Sequence, residues 1–116
     1  MYQYGVQVGL QELPERMPVV FRGKLEEVAK WSKEAGYDAM ELYVCNPAQY
    51  SAAEFNKIAS DNGLKYSGIC TGLEKIFNNL CVTDEDPAAR AKAIDRLKEQ
   101  LDFGAAIGCP IVVGTM

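Results

Sequence analysis

No histidine occurs in the chain, which removes the commonest general base at neutral pH and the commonest metal ligand. Catalytic triads built on serine or cysteine with histidine are excluded within this polypeptide. Cys45, Cys70, Cys81 and Cys109 show no C-x-x-C pairing, so the tight ligand spacing of a zinc site is missing as well. No apolar run approaches the roughly 18 residues of a membrane span, and the start Met1-Tyr2-Gln3-Tyr4 lacks a signal peptide's basic and apolar regions. A cytoplasmic location with reduced thiols is expected. Basic residues number 12 against 16 acidic, for a net charge of −4. Their only local enrichment lies between Arg90 and Lys98, so no nucleic-acid partner is expected, because phosphate neutralisation needs clustered Lys and Arg. The phosphate-cradling G-x-x-x-x-G-K-[ST] is absent, and Gly5-x-x-x-Gly9 does not match G-x-G-x-x-G, which places nucleotide binding by a doubly wound fold second.

What is present is a repeated joint. Three times a helix-period stripe runs into a glycine followed at once by a short apolar run: Gly36 before Tyr37 to Val44, Gly63 before Leu64 to Thr71, and Gly108 before Cys109 to Val113. Glycine fits the left-handed position just past a helix, and strands buried on both faces read as near-continuous apolar runs. With a further apolar strand at residues 3–10, the order is strand, helix, strand, helix, strand, helix, strand. At 116 residues and 12.8 kDa, the chain is short of the ~250 residues of a closed eight-stranded barrel. The expected fold is α/β, the N-terminal half of a TIM (β/α)8 barrel, as a single partial domain over residues 1–116.

The first helix is expected at residues 24–35, with Leu25, Val28, Ala29, Ser32 and Ala35 on one face and Glu26, Glu27, Lys30, Lys33 and Glu34 on the other. Ser51-Ala52-Ala53-Glu54 opens the second helix as a capping box, after which Phe55, Ile58 and Ala59 face the sheet. Asp86 caps the third, with Pro87 at its first position and Ile94, Leu97, Leu101 and Ala105 as its buried stripe. Two connections, residues 11–23 and 72–85, exceed the usual few residues. Both follow strands, which places them on the face where (β/α) enzymes build their sites.

The strongest candidate residue is Glu41, set between Met40 and Leu42 in an apolar strand with Tyr43 on the same face. An unpaired buried carboxylate costs several kcal/mol, so Glu41 either bonds a neighbour and organises the barrel mouth or serves substrate directly. Gln7 and Gly9 in the first strand, and Thr71 and Thr115 at the ends of the last two, are candidates of the same kind, with simple barrel filling as the alternative. Phe77, in the second long loop, could cap a ligand. Trp31 and Phe103 are expected to pack on neighbouring helices. The cysteines read as buried small residues, with a thiolate site of Cys45, Cys70 and Cys81 beyond the strand ends as the sharper alternative.

Gly5-Val6-Gln7-Val8-Gly9-Leu10, Ala35-Gly36-Tyr37-Asp38-Ala39-Met40-Glu41-Leu42 and Ser67-Gly68-Ile69-Cys70-Thr71-Gly72-Leu73 resemble the first three strands of the xylose isomerase-like TIM barrels, in particular their sugar phosphate isomerase/epimerase group. Asn79-Leu80, Thr83-Asp84-Glu85-Asp86-Pro87, Arg90, Ala93-Ile94, Leu97-Lys98, Ile107-Gly108 and Pro110-Ile111-Val112-Val113-Gly114 continue the likeness in order and spacing. The resemblance implies a barrel that binds a divalent metal (Mn, Mg, Zn or Co) and interconverts small sugars or sugar phosphates by proton transfer next to a carbonyl. Its metal-binding Glu, Asp and His come from later strands, so no catalytic residue and no metal ligand is expected within these residues. By motif, only Glu41 carries over, as a residue at the barrel mouth; the other candidate substrate-binding residues are Gln7, Tyr43, Thr71, Phe77 and Thr115.

The alternatives are a non-catalytic, self-associating half-barrel and a DNA-repair-type metallo-phosphodiesterase of the same fold, against which the acidic balance and absent histidines argue. A half-barrel would leave its first and last strands with bare edges that carry no lysine to blunt them. The expected remedy is the missing C-terminal half or a homodimer.

Overall fold

A computed structural model describes residues 1–10, 13 and 15–116. Among them the strands are β1 (Gly5–Gly9), β2 (Phe21–Arg22), β3 (Ala39–Tyr43), β4 (Lys65–Cys70) and β5 (Ile111–Val112), and the α-helices are α1 (Leu25–Glu34), α2 (Ala52–Asn62), α3 (Leu73–Asn78) and α4 (Pro87–Ile107). A 3-10 turn covers Pro47–Gln49. The strands form one sheet in the order β2-β1-β3-β4-β5, every neighbouring pair parallel. This is the curling parallel sheet of a partial TIM barrel, as the glycine-punctuated repeats predict.

Local chemistry explains the joints. Gly63 and Gly108 end α2 and α4 in the left-handed conformation, with φ of 62° and 75°, a region that L side chains enter only at a cost. Asp86 caps α4 by accepting from the Ala88 N–H at 3.0 Å. At α2 only the serine's half of the box forms among the described residues, Ser51 Oγ accepting from the Glu54 N–H at 3.3 Å. The reciprocal carboxylate bond instead occurs at α1, where Glu27 accepts from the Lys24 N–H.

The helices cover one face of the sheet. Val6, Val8, Met40, Leu42, Tyr66 and Ile69 of the strands pack against Val28, Ala29, Phe55, Ile58, Phe103 and Ile107 of α1, α2 and α4 in one core. Phe55 is its aromatic centre, with ring centroids 5.2 Å from Phe103, 5.5 Å from Tyr50 and 5.8 Å from Tyr66. The Tyr66 hydroxyl is satisfied within that core by donating to the Phe55 carbonyl at 2.7 Å, as a buried phenol requires.

Several expectations need correction. The strands are not buried on both faces: the alternate positions Gln7, Glu41 and Tyr43 are only half-buried, because no helix covers that side. The segment after β4 is not all loop, since it folds into the short helix α3. The first strand's edge is not bare either, because β2 pairs with it at Val8 and Gly9. Finally, the buried face of α4 is Ala93, Gln100, Phe103, Gly104 and Ile107, while Ile94 and Leu101 stand exposed. Phe103 packs on α2 as expected, but Trp31 lies against Phe21 of β2 at 6.1 Å rather than on a helix.

Gly104 lets α4 lie close against β5 and the residues leading into it: a Cβ there would meet the Cys109 carbonyl and Ile111 Cδ1, each at 2.8 Å. Alanine ordinarily strengthens a helix interior by about 1 kcal/mol over glycine. Here Gly104→Ala is expected to destabilise instead, by about 1–3 kcal/mol from overpacking; a urea midpoint at or above that of the parent would show that α4 can retreat.

Candidate functional site

The side of the sheet without helices gathers the polar residues of the strands. Gln7, Glu41 and Gly68 share one register level, and Gly9, Tyr43 and Cys70 the next toward the strand C-terminal ends. The register slips between Met40 and Glu41. Glu41 Oε1 accepts from the Cys70 thiol and, at 3.5 Å, from the Gln7 amide. Tyr43 stands beside Cys70 in register, and both line the same cleft. Burial and the neighbouring carboxylate push the Cys70 thiol up to about 12, and burial with the same neighbours raises Tyr43. Both groups are therefore neutral donors at ordinary pH.

Above this cluster lies a cleft of about 280 Å³, lined by Tyr43 and Cys70, by Gly72, Gly114 and Thr115, and by Met17, Leu73 and Ile76 on an apolar side. The Thr115 hydroxyl donates to the Gly72 carbonyl at 3.3 Å and so ties the segment after β5 to the segment after β4. Thr71 is fully buried and does not reach the cleft; its hydroxyl accepts from the Gly114 N–H at 3.3 Å. Phe77 points out to solvent from α3 and does not line the cleft, which receives Leu73 and Ile76 from that helix instead. Of the sequence candidates, then, Gln7, Glu41, Tyr43 and Thr115 gather at one mouth, Thr71 supports it from behind, and Phe77 lies outside.

The cysteines do not assemble a thiolate site. Cys45 is buried with Leu13 and Leu73, Cys70 serves Glu41, and Cys81 contacts the Thr83 hydroxyl at 3.2 Å, which lowers its thiol from the ordinary value. No group of three or more Cys, Asp or Glu able to hold a metal ion exists among the described residues.

Sequence reasoning missed Glu74. Although it sits on the six-residue α3, its carboxylate is completely buried. It accepts from Arg96 and Asn78 on Oε2, both at 2.8 Å, and from Gln100 at 2.8 Å and the Asn46 N–H at 3.1 Å on Oε1. Four donors from three segments saturate it. The available signal was the pair Arg96 and Gln100, spaced to share a face of α4 with Ala93 and Phe103, where a buried cation calls for an acid and a buried amide for an acceptor.

Breaking a buried pair from one side leaves the other charge uncompensated, at about 3–5 kcal/mol. Because Arg96 is 19% exposed at its side chain, Arg96→Met is expected to cost about 2–3 kcal/mol after screening, read as a fall in the urea midpoint; a loss below 0.5 kcal/mol would mean Asn46, Asn78 and Gln100 suffice.

A second expectation concerns pH. Cys70 and Cys109 shift from the ordinary 9.0 to about 12 and about 11 in the folded chain. Between these limits the folded state keeps protons that the unfolded state has lost, so stability is full below about pH 9 and falls as the pH rises toward 11–12. Replacing both cysteines by alanine should flatten the decline between pH 8.5 and 10.5 in urea titrations; an unchanged slope would assign it to other groups.

In comparison with known proteins, the family model described as "Xylose isomerase-like TIM barrel" matches residues 29–116. Among solved structures, the chain is similar to the crystal structure of AP endonuclease, family 2, from Brucella melitensis, with a TM-score of 0.61 and 13% identity over 93% of this chain. The chain spans 38% of that structure's length. No curated protein matches.

Proposed function

The chain belongs to the xylose isomerase-like TIM-barrel family, and from that premise we propose that it supplies the first part of the barrel of a sugar or sugar phosphate isomerase or epimerase. The observation that carries this reading is the mouth itself: a hydroxyl, a thiol, an amide and one carboxylate converge beside a cleft whose far side is apolar. Neutral donors and a single acceptor suit a polyhydroxylated ligand, whose C–H faces can rest on Leu73 and Ile76.

The reaction class is proton transfer next to a carbonyl. The C–H bond alpha to the carbonyl breaks as a carboxylate from the remainder of the barrel takes the proton, the electron pair forms the enediolate with negative charge on the carbonyl oxygen, and the protonated carboxylic acid returns the proton to the same or the adjacent carbon. Tyr43, Cys70 and Thr115 line the cleft and would orient the sugar hydroxyls, while Glu41, held by Gln7 one register level below, would fix the Cys70 thiol in place.

A divalent cation is the usual cofactor of this fold, but the described residues of this chain do not fit one. Glu74 has its oxygens taken by four donors, and Glu41 is flanked by a neutral thiol and an amide rather than by further ligands. Such an ion would be held by residues of the barrel outside these.

The neighbour's name raises the alternative of an endonuclease. A likeness at 13% identity carries the fold and not that activity, and a net charge of −4 offers little to a phosphate backbone.

The test uses the protein carrying the whole barrel, supplied with aldoses, ketoses and their phosphates in D2O, with NMR to follow deuterium entering beside the carbonyl. Glu41→Gln is expected to lower turnover roughly tenfold or more with a melting temperature within a few degrees of the parent. Full activity with a lost melting temperature would make Glu41 a scaffold residue. The remaining (β/α) units, or failing them a second copy, would also cover the exposed Val112 of β5, Val113 just after it, and the α4 residues Ile94 and Leu101. The 116-residue chain alone is therefore expected to associate at micromolar concentration, and light scattering from a stable 12.8 kDa monomer would overturn that.

A further inference from the structure

Several of the hydrogen-bond donors around the cleft are already spent. The Thr115 hydroxyl donates to the Gly72 carbonyl, the Gly114 N–H to Thr71 Oγ1, and the Cys70 thiol to Glu41 Oε1. Lone pairs are what these groups keep: those of the Thr115 oxygen and the Cys70 sulfur, and a second one on the Gly72 carbonyl. One register level beneath stands the Glu41 carboxylate, and across the cleft stand Met17, Leu73 and Ile76.

A phosphate group asks for the reverse. Its oxygens only accept and carry charge, so its sites are built from Arg, Lys or free backbone N–H groups. Among the described residues, no side chain that lines this cleft is charged. The basic groups nearby are engaged elsewhere: the Arg22 guanidinium donates to the carbonyls of Glu15 and Met17, and the Lys75 ammonium of α3 acts on Cys81, outside the cleft. A phosphate here would stand over a carboxylate and against an apolar wall, repelled by the first and desolvated by the second. An uncharged sugar end suits both sides, because its hydroxyls donate to the lone pairs and its C–H bonds rest on the apolar residues.

We propose that the cleft holds an uncharged terminus of the sugar, whose last carbons bear hydroxyl or hydrogen and no phosphate, and that Met17, Leu73 and Ile76 select it. The inference rests on the carbohydrate reading for the kind of ligand and narrows it. A phosphate at the opposite end of the sugar is compatible with this cleft; a phosphate at the end that enters it is not.

The test uses the protein carrying the whole barrel, with the methyl groups of Met17, Leu73 and Ile76 isotopically labelled for NMR. The probes are D-fructose and the other ketohexoses, their phosphate esters at either end, and inorganic phosphate. NOEs are expected from these methyls to the C–H protons of one end of a ketohexose, and the ester that carries phosphate on that end should bind more weakly and lose the contacts. Inorganic phosphate should leave the methyl signals unmoved. Ile76→Lys, at an exposed position of α3, adds the missing cation and should tighten the same ester by roughly tenfold or more, the scale of a hydrogen bond to a charged group. Phe77→Lys, next along the helix and off the cleft, adds the same charge and should not. Inorganic phosphate that shifts these methyls in the parent, NOEs to a phosphate-bearing carbon, or equal tightening in both lysine variants would each overturn the proposal. Deuterium exchange into a ketohexose without any contact to these methyls would leave the isomerase reading standing and sink this one, whereas neither exchange nor contact with any sugar would sink both.

Discussion

A carboxylate with no access to water must have its lone pairs filled by the protein, and Glu74 is where this chain meets that demand. The donors come from the turn after β3, from α3 itself and from α4, so the four bonds form only when all three segments are in place. Gln100 adds a second bond from its amide to the Val44 carbonyl at 2.8 Å, which fixes the height of α4 against the end of β3. The cleft depends on this pin. Leu73 and Ile76, its apolar side, are on the same short helix as Glu74, and a six-residue helix has little stability of its own.

The sheet divides the molecule into two chemistries. On the helix side the alternate residues are Val, Leu, Met and Ile, and their burial drives folding at roughly 25 cal/mol per Å² of apolar surface. On the other side the same strands present Gln7, Glu41, Tyr43 and Cys70. Because successive residues of a strand point to opposite faces, the two sets are interleaved in sequence and separate completely in space. The polar face can then carry chemistry without spending core, and the core can be packed tightly without constraining the mouth.

This interleaving decides what could be read from the sequence. The glycine-ended helices, the aspartate cap of α4 and the placement of Glu41 with Tyr43 follow from local rules, and the structure bears them out. The two-residue β2 carries no period that could announce it, and its pairing with β1 depends on the course of the whole connection. In α4 the apolar residues Ile94, Leu97 and Leu101 are spaced as a core stripe would be, yet Ala93, Gln100, Phe103 and Gly104 are the ones that face the sheet. Hydrophobicity alone chose the wrong side, because Gly104 permits the close approach to Ile111 and Glu74 gives Gln100 and Arg96 a reason to turn inward. Glu74 itself was illegible for the same cause: a carboxylate is assigned to solvent until its donors, distant in sequence, are known.

Glu41 and Glu74 show how environment gives one residue type two opposite uses. Glu74 is closed on both oxygens and is matched by a guanidinium, so adding a proton would cost it an ion pair and several hydrogen bonds; it is suited to hold structure and unsuited to exchange protons. Glu41 has both of its donors on Oε1, and both are neutral. Among the described residues Oε2 makes no hydrogen bond, so one oxygen of Glu41 stays open to a further donor. The distance between these roles is one strand: Glu74 anchors the helix that walls the cleft from outside the sheet, and Glu41 lies beneath the same cleft on the inner face.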